Sequence, residues 1–353
     1  MSSPNATQKI AASMRVPKLM LRLARQLPVL ILLGLAVHLL LPQLTTLESS
    51  LKVIENMAWW AVALAIGVQV LSYVGSGYLI SSLASISPPR LSIGRGIVVT
   101  LAASSVGLVA GGMVGNAAAV YRWTRSNGVG KEGALLASWL PSLFNNAILA
   151  LLAATGVLHL LIVHDLSTLQ AIGFGLTLAL LVGATSFIVW GVQHRPAFTA
   201  LLTRIARWWA SLMRRSYDPI ATTDITARIF GAWDVLRSGG WRQPVLGAAL
   251  NIGCDMATLF LLFIAAGHAV SPGILLTGYG LPLLLGKVTF LPGGVGIVEG
   301  TMAALYNGLG VPNAVTVLVI LAYRIISFWV PTVLGFPLVI YLQRTTRPVE
   351  ETP

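Results

Sequence analysis

Apolar stretches long enough to cross a bilayer recur along this chain, at about 27–46, 57–80, 132–162, 167–191, 242–267 and 313–342, and they confine the fold to a membrane. Runs of this length span as helices, because lipid offers no partner to an unpaired backbone group. Hydrophobic residues make up 56% of the 353 and charged residues only 10%, which excludes a water-soluble globule. The longest polar block, about Gln193 to Gln243, is too short to bury a core of its own. The chain therefore reads as an all-α polytopic integral membrane protein. A single transmembrane domain, 27–343, lies between a basic tail, 1–26, and a short tail, 344–353. The basic segment Lys9 to Arg25 leads into the first run without an Ala-x-Ala-type cleavage site, so that run reads as an uncleaved span. Cys254 is the only cysteine, and the histidines at 38, 159, 164, 194 and 268 lack metal-ligand spacing; neither a metal nor a cofactor is expected.

The cations set the topology. Five precede the first run (Lys9, Arg15, Lys18, Arg22, Arg25); then come Arg90 and Arg95, then Arg122, Arg125 and Lys131, eight from Arg195 to Arg242, and finally Arg344 and Arg347. The positive-inside rule places all of them, and both chain ends, in the cytoplasm. An apolar segment at about 93–126 lies between two of these groups, so it enters and leaves by the same face. By the same parity the segment at about 273–309 has both ends outside. Each is expected to be a re-entrant hairpin.

A spacing in the sequence agrees. Gly111-Gly112 is followed by Gly128-Val129, and Gly293-Gly294 by Gly310-Val311, with 17 residues from first Gly to Gly-Val in both copies. Span, hairpin and span then occur twice with opposite orientation, at about 57–162 and 242–342, an inverted repeat of the kind many secondary transporters use. The expected total is six full spans plus two glycine-tipped hairpins, or eight membrane segments. Gly111, Gly112 and Gly115 suit the first turn, and Pro292, Gly293, Gly294 and Gly296 the second, because a turn at membrane depth needs positive φ and close approach. The competing reading is that these glycines only let helices pack closely.

Four ionisable residues fall inside apolar segments, Asp255, Lys287, Glu299 and Arg324, all in the second repeat. Each costs about 2.5–3.5 kcal/mol at the centre of a span, so each needs a reason. Either Glu299 or Asp255 pairs with Arg324 or Lys287 to hold the hairpin against the last span, or Arg324 and Lys287 line a cavity and hold a lipid phosphate, with the acids tuning or releasing it. The planar fork of arginine favours Arg324 as the anchor. Glu299, just past Gly296 on the first turn of the returning helix, is placed either to cap backbone N–H groups or to bind a cation or proton. In the first hairpin Arg122, beside Arg125, either enforces orientation or meets head groups, and Asn116, with Asn145 and Asn146, either lines the cavity or bonds between helices. The linker, 192–241, carries Phe198, Leu201, Leu202, Ile205, Trp208, Trp209 and Leu212 at helical spacing among arginines, the pattern of an interfacial helix on an anionic leaflet. Gly280 to Lys287 mimics a phosphate-binding loop, but its spacer is one residue too long and Val288 stands where Ser or Thr belongs.

Leu291-Pro292-Gly293-Gly294-Val295-Gly296-Ile297-Val298-Glu299, with Ala322-Tyr323-Arg324 and Pro331, resembles the signature of the lysylphosphatidylglycerol synthase transmembrane region, the flippase domain of multiple peptide resistance factors and their stand-alone relatives. Ser104-Ser105, Gly107, Gly111-Gly112 and Tyr121-Arg122 resemble its first-half counterpart, with Ala110 at the place of the proline. The resemblance implies a plasma (inner) membrane domain that moves or presents anionic phospholipid or lipid-linked head groups between leaflets. It does not imply lipid synthesis, which in two-part members belongs to a soluble domain. A stand-alone, non-enzymatic member is therefore expected, with membrane lipids as partners and no nucleic acid. A membrane enzyme or a second copy of the chain are further candidate partners, and the alternative function is a scaffold for a lipid-modifying or glycosyl-transferring enzyme.

Overall fold

The computed structural model describes residues 53–86, 90–110, 112–163, 166–212, 230–231, 234, 240–288 and 292–345, all within one unit, Ser49–Pro353. The basic tail, the expected span 27–46, Gly111 and the chain from 346 on lie outside the described residues. Among those described, every regular element is helical. In chain order they are α1 (Trp59–Ala84), α2 (Ile93–Val109), α3 (Met113–Ser126), α4 (Lys131–Val163), α5 (Thr168–Gln193) and α6 (Arg195–Leu212), then α7 (Arg242–Ala265) and α8 (Pro272–Val288). A 3₁₀ turn (Pro292–Gly294) and α9 (Ile297–Gly308) follow, and α10 (Asn313–Arg324) continues through a π-helical turn (Ile325–Trp329) into α11 (Val330–Thr345).

Four stretches are long and apolar enough to cross a membrane: Trp59–Ala84, Lys131–Val163, Arg242–Ala265 and Asn313–Thr345. They coincide with four of the expected spans, and α5 covers a fifth. Large side chains such as Leu169, Leu176 and Leu180 on α5 and Val333 and Leu334 on α11 stand exposed, as lipid-facing residues do. The four arms of the two glycine segments have 17, 14, 17 and 12 residues. At 1.5 Å per residue none exceeds about 26 Å, short of a hydrocarbon core of about 30 Å.

The two halves share one plan in one register. The glycine pairs are 182 residues apart (293 − 111), and the same shift moves α1 from 59–84 to 241–266, against Arg242–Ala265 for α7. It moves α4 from 131–163 to 313–345, the bounds of α10 with α11. The hairpin arms agree within three residues. Even the hairpin exits match: Gly128 and Gly310 both have φ 88° and both donate to the carbonyl three residues back, Arg125 at 2.9 Å and Asn307 at 3.1 Å. Val129 and Val311 are buried directly after them. Each Gly-Val is thus the left-handed stop that ends a hairpin and opens a long span.

At the first tip, Gly112 has φ 63° and its N–H donates to Gly107 at 2.7 Å, which folds α3 back along α2. Gly115 serves close packing instead, since a Cβ there would lie 2.2 Å from the Ala110 carbonyl oxygen. At the second tip Gly293, Gly294 and Gly296 all have positive φ. The glycines therefore do both of the jobs weighed above, at different positions.

Packing crosses between the halves. α1 lies along α7 through small residues: a Cβ on Gly75 would meet the Asn251 backbone nitrogen at 2.5 Å, and one on Gly247 the Leu79 Cα at 2.8 Å. α4 packs on α8, with Gly156 against Thr277 and Gly280 against Ala153. α11 packs on α2, where the Ser105 hydroxyl donates to the Thr332 carbonyl at 2.6 Å. The first arm of each hairpin is covered by the closing span of the other half. Small residues at these crossings let backbones approach, which in lipid replaces the missing hydrophobic drive.

Within the expected linker, α6 realises the amphipathic spacing, with Ile205 and Trp208 exposed beside exposed Arg204 and Arg207. Arg195 at its start pairs with Asp234.

Candidate functional site

Arg324 is the last residue of α10, directly before the π turn, and only 5% of it is exposed. Its Nε donates to Glu299 Oε1 at 2.5 Å, its Nη2 donates to the Gly293 carbonyl at 3.0 Å, and its guanidinium lies 4.3 Å from the Phe328 ring centroid. The other carboxylate oxygen of Glu299 accepts the Gly296 N–H at 2.7 Å. One arginine thus grips an acid and a carbonyl of the same turn, while that acid caps the helix leaving it. A Cβ on Gly293 would sit 2.2 Å from the Phe328 ring, so only glycine lets the tip lie against this wall.

The π turn has its own support: the Tyr73 hydroxyl on α1 donates to the Ser327 carbonyl at 2.7 Å. Such turns loosen the regular ladder and need a partner for what they free.

Asp255 does not join the Arg324–Glu299 pair. Its Oδ1 accepts from the Gln69 amide at 2.9 Å, and its Oδ2 accepts from the hydroxyls of Tyr279 at 2.8 Å and Tyr323 at 2.6 Å. Lys287 stands exposed at the end of α8 and donates to the Asn146 side chain at 2.6 Å. The described residues form Glu299 with Arg324, one of the pairings the first reading allowed and one that ties the hairpin to the last span; Asp255 and Lys287 take neutral partners.

In the first half, Arg122 is exposed on α3. Asn116 lies in the first turn of α3, its backbone N–H donating to the Gly112 carbonyl at 3.1 Å. Among the described residues neither makes a side-chain hydrogen bond to the charged cluster, and Gly111 falls outside the described residues. Shifting back by 182 sets Tyr73 opposite Asp255, Ser105 opposite Lys287, Ala117 opposite Glu299 and Ser142 opposite Arg324. Every ionisable position of the second half is uncharged in the first.

Gln69, Tyr73 and Tyr279 were not singled out by sequence reasoning, and Tyr323 entered only as the neighbour of Arg324 in the family signature. A signal was present: Gln69, Ser72 and Tyr73 recur at helical spacing on one face of a span that is otherwise mostly apolar and small.

These features define a class: a multi-pass helical membrane protein built from a repeated span–hairpin–span unit, with a buried ionic clamp at one hairpin tip. Residues 29–335 match the family described as the lysylphosphatidylglycerol synthase transmembrane region, and the chain belongs to that family. It is similar to a UPF0104 membrane protein of Pyrococcus horikoshii, 33% identical over 25% of this chain and 26% of the relative. A UPF0104 membrane protein of Methanocaldococcus jannaschii is 22% identical over 46% of this chain and 50% of the relative. The chain thus spans a quarter to a half of the curated relatives it matches.

Proposed function

We propose that the protein is a flippase-like transporter that moves or presents an anionic phospholipid or lipid-linked head group between the leaflets of the plasma membrane, without nucleotide. The observation that carries this is Arg324: a buried arginine at the junction of a broken hairpin and a π-interrupted span, 11 residues into its segment and so roughly 17 Å deep. Interrupted helices meeting at mid-bilayer are where transporters of repeated architecture hold their substrates. A head-group phosphate competes with Glu299 for the guanidinium, and taking it frees the tip from α10. Lys287, on the other arm of the same hairpin, supplies a second cation. Arg122 meets head groups at the cytoplasmic end of the first hairpin, and Asn116 contributes a polar lining.

Proteoliposomes containing a fluorescent phosphatidylglycerol test this. Arg324→Ala and Glu299→Gln are expected to reduce translocation to the protein-free rate while both proteins still elute as folded species. Unchanged rates in both would sink the proposal.

The inverted orientation of the repeats belongs to the same reading. In a chain with Cys254 replaced by serine, single cysteines at Arg90 and Lys131 are expected to react from the same side and one at Asn313 from the opposite side. Labelling of Lys131→Cys and Asn313→Cys from one face contradicts re-entrant hairpins.

A second reading, an enzyme-docking scaffold, draws on the exposed apolar and basic residues of α6. Deleting 193–241 separates the two, since a scaffold loses its partner whereas a transporter keeps intrinsic translocation.

A further inference from the structure

The hydrogen bonds around Asp255 join four helices: α7 carries the acid, α1 brings Gln69, α8 brings Tyr279 and α10 brings Tyr323. Gln69, Tyr279 and Tyr323 are 3%, 0% and 1% exposed. All three donors are neutral, and among the described residues no Lys or Arg nitrogen lies at ion-pair distance. The charged and titratable groups facing the carboxylate are Tyr73 from α1, Cys254 from its own helix, Tyr279 and Lys287 from α8, and Tyr323 and Arg324 from α10. α4 also packs on α7, but its titratable side chains, Lys131, Glu132 and His159, lie toward its ends.

The site accommodates both charge states. Ionised, the carboxylate satisfies three donors. Protonated on Oδ2, it needs an acceptor for its own hydrogen, and Tyr279 can become one, because the Ile252 carbonyl lies 3.3 Å from the Tyr279 hydroxyl and offers that proton a second acceptor. The new O–H of Asp255 then donates to Tyr279 Oη, and Tyr279 donates to Ile252. Tyr323 is left with a weaker acceptor, and its chain neighbour is Arg324, the clamp on the hairpin tip.

We propose that Asp255 is a proton-binding site, taking up one proton from water in each cycle and so coupling lipid movement to a proton gradient; the coupling rests on the transporter reading above. An ionisable side chain inside a membrane bundle, ringed by neutral donors and adjoining a helix break, is the physical setting of a proton carrier. Protonation weakens the tie between α7 and α10 at the residue next to the clamp, which biases the tip toward release. The first half holds Tyr73 at the matching position, so one proton per protein is expected.

Two measurements test it on the full chain in vesicles of phosphatidylcholine and phosphatidylglycerol. Infrared difference spectra across a pH titration should show a protonated-carboxyl C=O band that Asp255→Asn abolishes and Tyr279→Phe displaces. The Tyr279 variant keeps the acid, so it decides the matter should the Asp255 variant fail to fold. Identical spectra in wild type and variants overturn the site. In the second measurement the membrane potential is clamped at zero and a gradient of one pH unit is imposed. At about 1.4 kcal/mol per proton, labelled phosphatidylglycerol should then redistribute between leaflets by about tenfold, and Asp255→Asn should lose this bias. Lipid that moves but ignores the gradient overturns the coupling and leaves the transporter reading standing. No lipid movement in wild type overturns the transporter reading, and the infrared result alone then decides the proton site.

Discussion

The two hairpins are built alike and furnished differently. Both fold back at glycine of positive φ, both end at a glycine with φ 88°, and both lead into a stretch of 33 residues. Yet the second tip is gripped by Arg324 and Glu299, while the matching positions of the first are Ser142 and Ala117. Backbone plan and chemistry have separated: glycines and apolar spans suffice to specify the plan, and four ionisable substitutions set one copy apart. On the transporter reading proposed above, the second hairpin is the moving or binding part and the first its frame.

The largest effect should come from breaking the clamp. Arg324→Met leaves Glu299 without its buried partner and should lower stability by about 3–5 kcal/mol, whereas Ser142→Ala at the matching position should stay within about 0.5 kcal/mol. Thermal unfolding in nanodiscs measures both, and similar losses would abolish the distinction between the tips. The next effect lies at the closing spans, where Gly335 and Ala153 occupy equivalent positions (335 − 182). A Cβ on Gly335 would meet the Ser105 hydroxyl at 2.0 Å and the Leu101 carbonyl at 2.2 Å, so Gly335→Ala should cost about 1–3 kcal/mol. Ala153→Gly should cost about 2 kcal/mol, the helix-propensity difference plus one buried methyl lost against Gly280. The smallest effect tests sameness: Gly128→Ala and Gly310→Ala should each lose about 1–2 kcal/mol, because both force an L residue to positive φ. Unequal losses would mean that the two exits are not equivalent after all.

The spans were legible in the sequence for a simple reason. The charges at Arg90, Arg95, Arg122, Arg125 and Lys131 and a 17-residue glycine spacing both report on chain path, and path is set by local chemistry. The Glu299 cap was legible too, because it depends on residues three apart. The Asp255 cluster was not: its donors lie 186, 24 and 68 residues away, and only cross-packing of helices brings them together. The π turn at 325–329 was equally hidden, since Ile-Ile-Ser-Phe-Trp suits an ordinary helix and the Tyr73 contact that supports the turn is 254 residues distant. Charge alone left Lys287 either an acid or a lipid phosphate as its partner, and packing supplied Asn146.

The exchange of cover between the halves bears on how the protein is made. α2 rests on α11, which emerges from the ribosome some two hundred residues later, so the face of α2 around Leu101 and Ser105 waits uncovered until Gly335 arrives. During that interval the nascent chain presents a surface that a quality-control protease or a membrane chaperone can read. A chain ending before Val330 would leave that surface open for good.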